Sequence, residues 1–299
     1  MDNTNAGPLV TTFSIVGYDP DVPAWGVAIA SRFLAVGAQT CWTSPDAGVV
    51  VVQAHLNADN GTEGLRLLRE GSSAPTTIER LMDADPHQDL RQIAMIDRSG
   101  TPATFTGNAC TEWAGGALGK HCAAQGNMLF SGDGCAAMVD NFEKSTGNLT
   151  RRLVNALTIG DSVSGDARGR QSAALKVVRP PWDSPFDVFT EPTIDLRVDD
   201  HREPFQELAR LLDLHELLYH PTTPNEHLEQ TTTSISKVQD ALASLGIYNE
   251  SVTGILDDAT VAALNQLKAT HNLRNRMTPD SWIDQRVLTY LEDLAATSD

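Results

Sequence analysis

The chain has 299 residues, 41% hydrophobic and 20% charged. That is an ordinary globular composition, long enough for about two domains, and it excludes a disordered protein or a disulfide-stapled miniprotein. Its 22 basic and 39 acidic side chains give a formal net charge of −17, a field that repels phosphate backbones and anionic lipid, so neither nucleic acid nor a membrane is an expected partner.

Residues 1–10 are small and polar around Gly7-Pro8 and read as a disordered leader. Residues 11–17 and 25–31 alternate as two strands about the turn Tyr18-Asp19-Pro20-Asp21, which predicts an antiparallel hairpin. Residues 48–53 carry Val49-Val50-Val51-Val52, a strand buried on both faces. Helices are predicted over 60–70, stopped by Gly71, and over 76–83. Strands follow over 92–97, 103–106 and 122–129, then helices over 134–144 and 150–157, then a strand over 171–178 before Pro180-Pro181. Strands and helices come in blocks rather than in β-α alternation. Antiparallel sheets with helices packed outside, an α+β fold, are the expectation.

From Pro204 to Tyr219, leucines recur at helical spacing. His220-Pro221-Thr222-Thr223-Pro224 breaks the pattern. Residues 234–294 read as three short helices, lined by Ile235, Val238 and Leu242, by Val261, Leu264 and Leu267, and by Trp282, Val287 and Leu291. The expected organisation is a leader at 1–10, a main domain at 11–201, a helix and linker at 202–233, and a small all-α domain at 234–299. Both parts are acidic, with nets of −11 over 1–221 and −6 over 222–299.

No 18-residue apolar run occurs, and Met1 to Val10 holds no basic or apolar signal stretch, so a cytoplasmic location is expected. Cys41, Cys110, Cys122 and Cys135 form no C-x-x-C pair, which excludes a zinc ribbon or a thioredoxin motif. Buried free thiols are expected, though the spacing permits a Cys110–Cys122 disulfide. No metal and no cofactor is expected. His215 and His220 fall on different helix faces, and Ser131-Gly132-Asp133-Gly134 is a weak phosphate signal.

Five segments carry a resemblance. They are Thr12-Phe13-Ser14-Ile15-Val16, residues 26–37, Gln125-Gly126-Asn127, residues 165–175 and residues 195–200. Through them residues 11–200 resemble the family called domain of unknown function 1028, placed among the N-terminal-nucleophile (Ntn) amidohydrolases. The resemblance implies a four-layer αββα sandwich with a nucleophile at the start of the first strand. Thr12 matches that position. A threonine hydroxyl is a poor nucleophile, but a free α-amine with a pKa of about 7.7–8.0 can serve as its base. Eleven residues of this sequence precede Thr12. Either the Thr11–Thr12 bond is cleaved, or the true start lies downstream, or the amine never becomes free.

Arg168 and Arg170 sit in a charged turn ahead of an apolar strand. Two arginines at a strand end can grip a substrate carboxylate bidentately; the alternative is a salt-bridge network with Asp161 and Asp166. Arg32 is a further candidate for tuning the amine or binding substrate, and Gln125 and Asp166 complete the expected substrate-binding set. Asn127 is an oxyanion donor candidate, because the preceding Gly126 allows close approach. Asn57, at a helix entrance, is a second one. His55 reads as a half-buried histidine rather than a base. The expected activity is hydrolysis of a small carboxylate-bearing amide through an acyl-enzyme, by a homo-oligomer. The alternative is a non-catalytic binding or assembly protein on the same fold. Residues 235–294 resemble a small peptidoglycan-binding-like module, which would make peptidoglycan a partner, or else serve docking.

Overall fold

The computed structural model describes residues 6–180, 193–220, 222–273, 276 and 283–297. The chain divides into two compact units, Met1–Arg210 and Leu211–Asp299.

The first unit holds two antiparallel sheets. In one, β2 (Phe13–Asp19) and β3 (Ala24–Ser31) form the expected hairpin, with Phe13 opposite Ala30. Outside β3 lie β10 (Ser172–Val178) and β11 (Thr193–Val198). Outside β2 lie β9 (Cys122–Gly126) and β8 (Gly115–Leu118). The other sheet centres on β5 (Gly48–His55), which pairs with β6 (Arg91–Asp97), itself paired with β7 (Pro102–Thr106). The other edge of β5 is shared by β4 (Cys41–Ser44) and β1 (Leu9–Val10).

The valine run explains how the sheets are held. Side chains alternate across a strand. Val49 and Val51 join Val16, Val27 and Ile29 of the other sheet. Val50 and Val52 join Leu67, Leu68, Ile78 and Met82. These last residues come from α2 (Ala58–Arg69) and α3 (Ala74–Ala84), capped by Asn57 and Ser73. On the hairpin sheet, α4 (Asp133–Lys144) and α5 (Leu149–Ser164) pack against β2 and β9, with α5 also on β3. The short α1 (Val36–Gln39) follows β3. Thus one helix pair covers each sheet, and the sheets pack face to face. The fold is α+β with two antiparallel sheets, as the blockwise order of elements predicts.

Several elements differ from the sequence expectation. Residues 6–10 are not a loose leader: Leu9–Val10 pairs with Ala54–His55, and Val10 is fully buried. The reason lies in β5: β4 and the Thr40 carbonyl cover its edge only as far as Val52, leaving the backbone groups at Ala54–His55 open to pairing. The helix predicted over 150–157 runs on to Ser164. The strand predicted over 122–129 stops at Gly126, ahead of Met128 in a left-handed conformation. All four cysteines are free thiols. The Pro180-Pro181 stop falls in part outside the described residues, and Trp282 wholly so.

The division between the units falls inside α6 (Pro204–Tyr219). In the second unit, α7 (Thr232–Ser244), α8 (Asp258–Thr270) and α9 (Gln285–Thr297) enclose Val238, Leu242, Leu264, Leu267, Val287 and Leu291. Buried Gln239 ties this unit together. Its Oε1 accepts from the Thr253 and Gly254 amides, and its Nε2 donates to Thr260 Oγ1 at 2.8 Å. Among the described residues, no helix is long and apolar enough to cross a membrane.

Candidate functional site

The chain crosses from one sheet to the other at Thr11–Thr12, between β1 and β2. Both threonines are buried. The carbonyl oxygen of Thr11 accepts two hydrogen bonds, from Ser31 Oγ at 2.5 Å and from Arg168 Nη2 at 3.0 Å. Ser31 is the last residue of β3, brought there by the hairpin register. Arg168 is aimed by Asp166. Asp166 Oδ1 accepts from Arg168 N and Nε, and its Oδ2 accepts from Arg168 Nη2 at 2.7 Å and from the Arg32 amide at 3.1 Å. An anchored guanidinium and a hydroxyl therefore polarise one peptide carbonyl away from bulk water.

Thr12 Oγ1 donates to the carbonyl of Val10 at 3.1 Å. The Thr12 nitrogen is an amide here, so it is no base. The Thr12 carbonyl accepts from Gln53 Nε2 and from the Asn127 amide, each at 3.0 Å. Gln53 opens a buried polar network between the sheets. Its Nε2 also reaches Gln92 Oε1, and its Oε1 accepts from Ser14 Oγ. Gln92 Oε1 accepts again from Asn127 Nδ2, and Gln92 Nε2 donates to the Gly126 carbonyl. Gln125 Oε1 accepts from Thr104 Oγ1. Three polar atoms in this region, Thr11 Oγ1, Gln125 Nε2 and Asn127 Oδ1, are buried without a partner. Such groups are costly to leave unmet.

Thr12, Arg168, Asp166, Arg32 and Asn127 are thus brought to one place, with Gln125 on the adjoining strand. Asn57 has another task. It caps α2 by accepting from the Asp59 amide, and its Nδ2 donates to Asp85. The donors on the Thr11 carbonyl are Ser31 and Arg168, not Asn57 and Asn127. Arg170 is ion-paired with Asp161 at 2.7 Å and with Glu203 at 2.6 Å. Arg168 and Arg170 therefore already hold carboxylates of the chain, the salt-bridge alternative that their spacing left open. Burial pushes the Asp161 carboxyl above its ordinary range in spite of Arg170.

Arg32 differs from both. Its Nη1 donates to the Arg170 carbonyl, and no carboxylate of the described residues pairs with it. It lines an open surface recess of about 700 Å³ with Arg170, Gln171, Asp200, His201 and Arg202.

A buried pair supports the other side of the crossing. Arg91 Nε donates to Asp85 at 2.8 Å, both side chains being 3% exposed. Burial alone would push the Asp85 carboxyl up. Hydrogen bonds from Arg91, Asn60, the His87 amide and Asn57 outweigh it and hold the group well below the usual carboxylate range. Arg91 Nη1 also donates to the carbonyls of Ala6 and His55. His55 Nδ1 lies 3.0 Å from the Gly7 carbonyl.

Sequence reasoning missed Ser31, Gln53, Gln92 and the Asp85–Arg91 pair. Gln53 and Gln92 did carry a signal, because each is an amide beside an otherwise apolar strand run. Ser31 carried none.

Comparison with known proteins agrees with the two-part division. Residues 12–208 match a family described as "Family of unknown function (DUF1028)", and residues 217–291 match one described as "Putative peptidoglycan binding domain". The chain is similar to a solved structure titled as protein SPO2555 from Silicibacter pomeroyi and assigned to the same DUF1028 model. The two are 30% identical, with a TM-score of 0.62 over 69% of this chain and 89% of that one. No curated protein matches.

Proposed function

The chain belongs to the family of unknown function DUF1028, and we propose that it is a latent Ntn-type amide hydrolase, released by cleavage of its own Thr11–Thr12 bond. One observation carries this reading: Ser31 and Arg168 together grip the Thr11 carbonyl oxygen, next to the Thr12 hydroxyl. A carbonyl oxygen has two lone pairs, and the Thr12 carbonyl also takes two donors, both neutral amides, so what sets the Thr11 carbonyl apart is that one of its donors is a guanidinium. A carbonyl with two strong donors, one cationic, is prepared for negative charge on its oxygen. The order of helix pair, sheet, sheet and helix pair supports the reading too, since it suits a four-layer αββα sandwich.

Thr12 Oγ1 adds to the Thr11 carbonyl carbon, and the oxyanion forms against Ser31 and Arg168. The carbon–nitrogen bond breaks, and the hydroxyl proton passes to the departing Thr12 nitrogen. Water then hydrolyses the resulting ester, leaving a Thr11 carboxylate, the Thr12 hydroxyl and a free Thr12 amine. That amine becomes the base for the neighbouring hydroxyl. A substrate carbonyl placed where the Thr11 carbonyl stood meets the same two donors. Its acyl-enzyme is cleared by water. Arg32, whose guanidinium pairs with no carboxylate of the described residues, is the residue suited to a substrate carboxylate.

The reading is tested by the intact mass of the purified chain over time, followed by an amide-substrate screen. The expected product begins at Thr12. Thr12→Ala should stay full length and inert. A wild-type chain that keeps Thr11 and Thr12 joined, yet hydrolyses nothing, would leave the second reading. That reading is a binding or assembly protein on the same fold, favoured by the complete burial of Thr12 in the uncleaved chain.

A further inference from the structure

We infer that Ala6–Thr11 occupies the acyl half of the site, so that the substrate is a short extended peptide rather than a single amino-acid amide. This rests on the hydrolase reading above and names its substrate class. In the proposed cleavage, residues up to Thr11 are the acyl group that Thr12 takes. The way the chain holds them is therefore the way it would hold the acyl part of a substrate.

That hold is built along the backbone. Leu9 and Val10 add to the open edge of β5 opposite His55 and Ala54. The Leu56 amide donates to the Pro8 carbonyl at 2.9 Å, His55 Nδ1 meets the Gly7 carbonyl, and Arg91 Nη1 donates to the Ala6 carbonyl. Ser31 and Arg168 close the series at the Thr11 carbonyl. Strand addition of this kind reads any extended peptide through its main chain, while alternate side chains supply selectivity.

The side chains show which positions are read. Val10 is fully buried among Val36, Val49 and Val51. Leu9 is 41% exposed and is not read. Gly7 has φ +91°, and a Cβ there would run into the Leu56 carbonyl, so this position takes glycine alone. Thr11 Oγ1 is buried with no partner, so the hydroxyl of the acyl residue is not recognised. The preferred acyl part therefore has an extended form with a medium apolar residue one place before the scissile carbonyl. It has glycine three places before that residue.

The full chain is left to mature, and the released fragment is removed by gel filtration. Three aminomethylcoumarin amides are then compared: that of Gly-Pro-Leu-Val-Thr, the same peptide with Lys for Val, and that of threonine alone. The pentapeptide amide should exceed the threonine amide by about 100-fold in kcat/KM, and the Lys form should lose most of that gain. The free peptide acid should compete. Equal turnover of all three, with no inhibition by the acid, overturns the inference and leaves the hydrolase reading standing. A chain that never loses residues 1–11 overturns both, and the intact mass separates that case from the first.

Discussion

Ser31 Oγ lies 2.5 Å from the carbonyl oxygen of Thr11, joining the last residue of β3 to the peptide bond that enters β2. The contact exists because Phe13 pairs with Ala30, which sets Ser31 beside the residues just ahead of β2. It gives the hairpin a polar contact beyond its packing.

Ser31→Ala removes one of two donors on the proposed oxyanion. Loss of one such donor costs about 100- to 1000-fold in rate. Cleavage at Thr11–Thr12, followed by intact mass against time, should slow by that order, while Ser31→Thr should retain most of the rate. Far-ultraviolet circular dichroism should be unchanged in both. Wild-type kinetics in Ser31→Ala would remove Ser31 from the mechanism.

Arg32 is exposed and, among the described residues, pairs with no carboxylate, so its replacement should spare the fold. Arg32→Gln should raise KM for a carboxylate-bearing amide by about 10- to 100-fold with kcat little changed, because a charge-assisted bidentate contact is lost in ground and transition states alike. A neutral amide of the same size should be unaffected. An equal effect on both substrates would argue against carboxylate recognition.

The Asp85–Arg91 pair predicts a pH dependence. Its surroundings depress the Asp85 pKa in the folded chain below the unfolded value of about 3.9. The stabilisation is therefore complete above that value and is lost as pH falls beneath it. Asp85→Ala leaves Arg91 buried without its carboxylate and should cost about 3–5 kcal/mol in urea unfolding at neutral pH. The difference from wild type should shrink on acidification below pH about 4. A constant difference across that range would show that the carboxylate charge is not what matters.

Burial pushes the Cys122 and Cys135 thiols up to about 12, and that of Cys110 up to about 11. At pH 8 they hold almost no thiolate, the reactive form. Native protein should therefore leave these three unmodified by iodoacetamide, with all of them labelled in urea. Peptide mass mapping reads the result, and rapid native labelling of Cys135 would contradict its enclosure.

Much of this protein was legible in its residues. The valine run at 49–52 announces a strand buried on both faces, and the order of strand and helix blocks leads to antiparallel sheets. Thr12 stood out only through the neighbours that follow it, Phe13-Ser14-Ile15, and their likeness to a family. The arginine turn was visible as charge, with Asp161 and Asp166 named as the alternative to a substrate carboxylate, but the choice between them was not visible. A guanidinium near a strand end can face a substrate or an aspartate, and only the fold shows that Arg168 meets Asp166 and the Thr11 carbonyl.

Local pattern thus determined the periodicity, the turns, the apolar faces and the acidic balance, because these depend on neighbours in the chain. The tertiary structure decided the rest. A two-residue strand such as Leu9–Val10 has no period of its own and exists because β5, some 45 residues later, leaves an edge open beyond β4. The same holds for Ser31 and Arg168, separated by more than 130 residues and joined at one oxygen atom. Hydrogen bonds are short-ranged and directional, so the groups that meet at Thr11 are chosen by where the sheets bring them, not by their spacing in the chain.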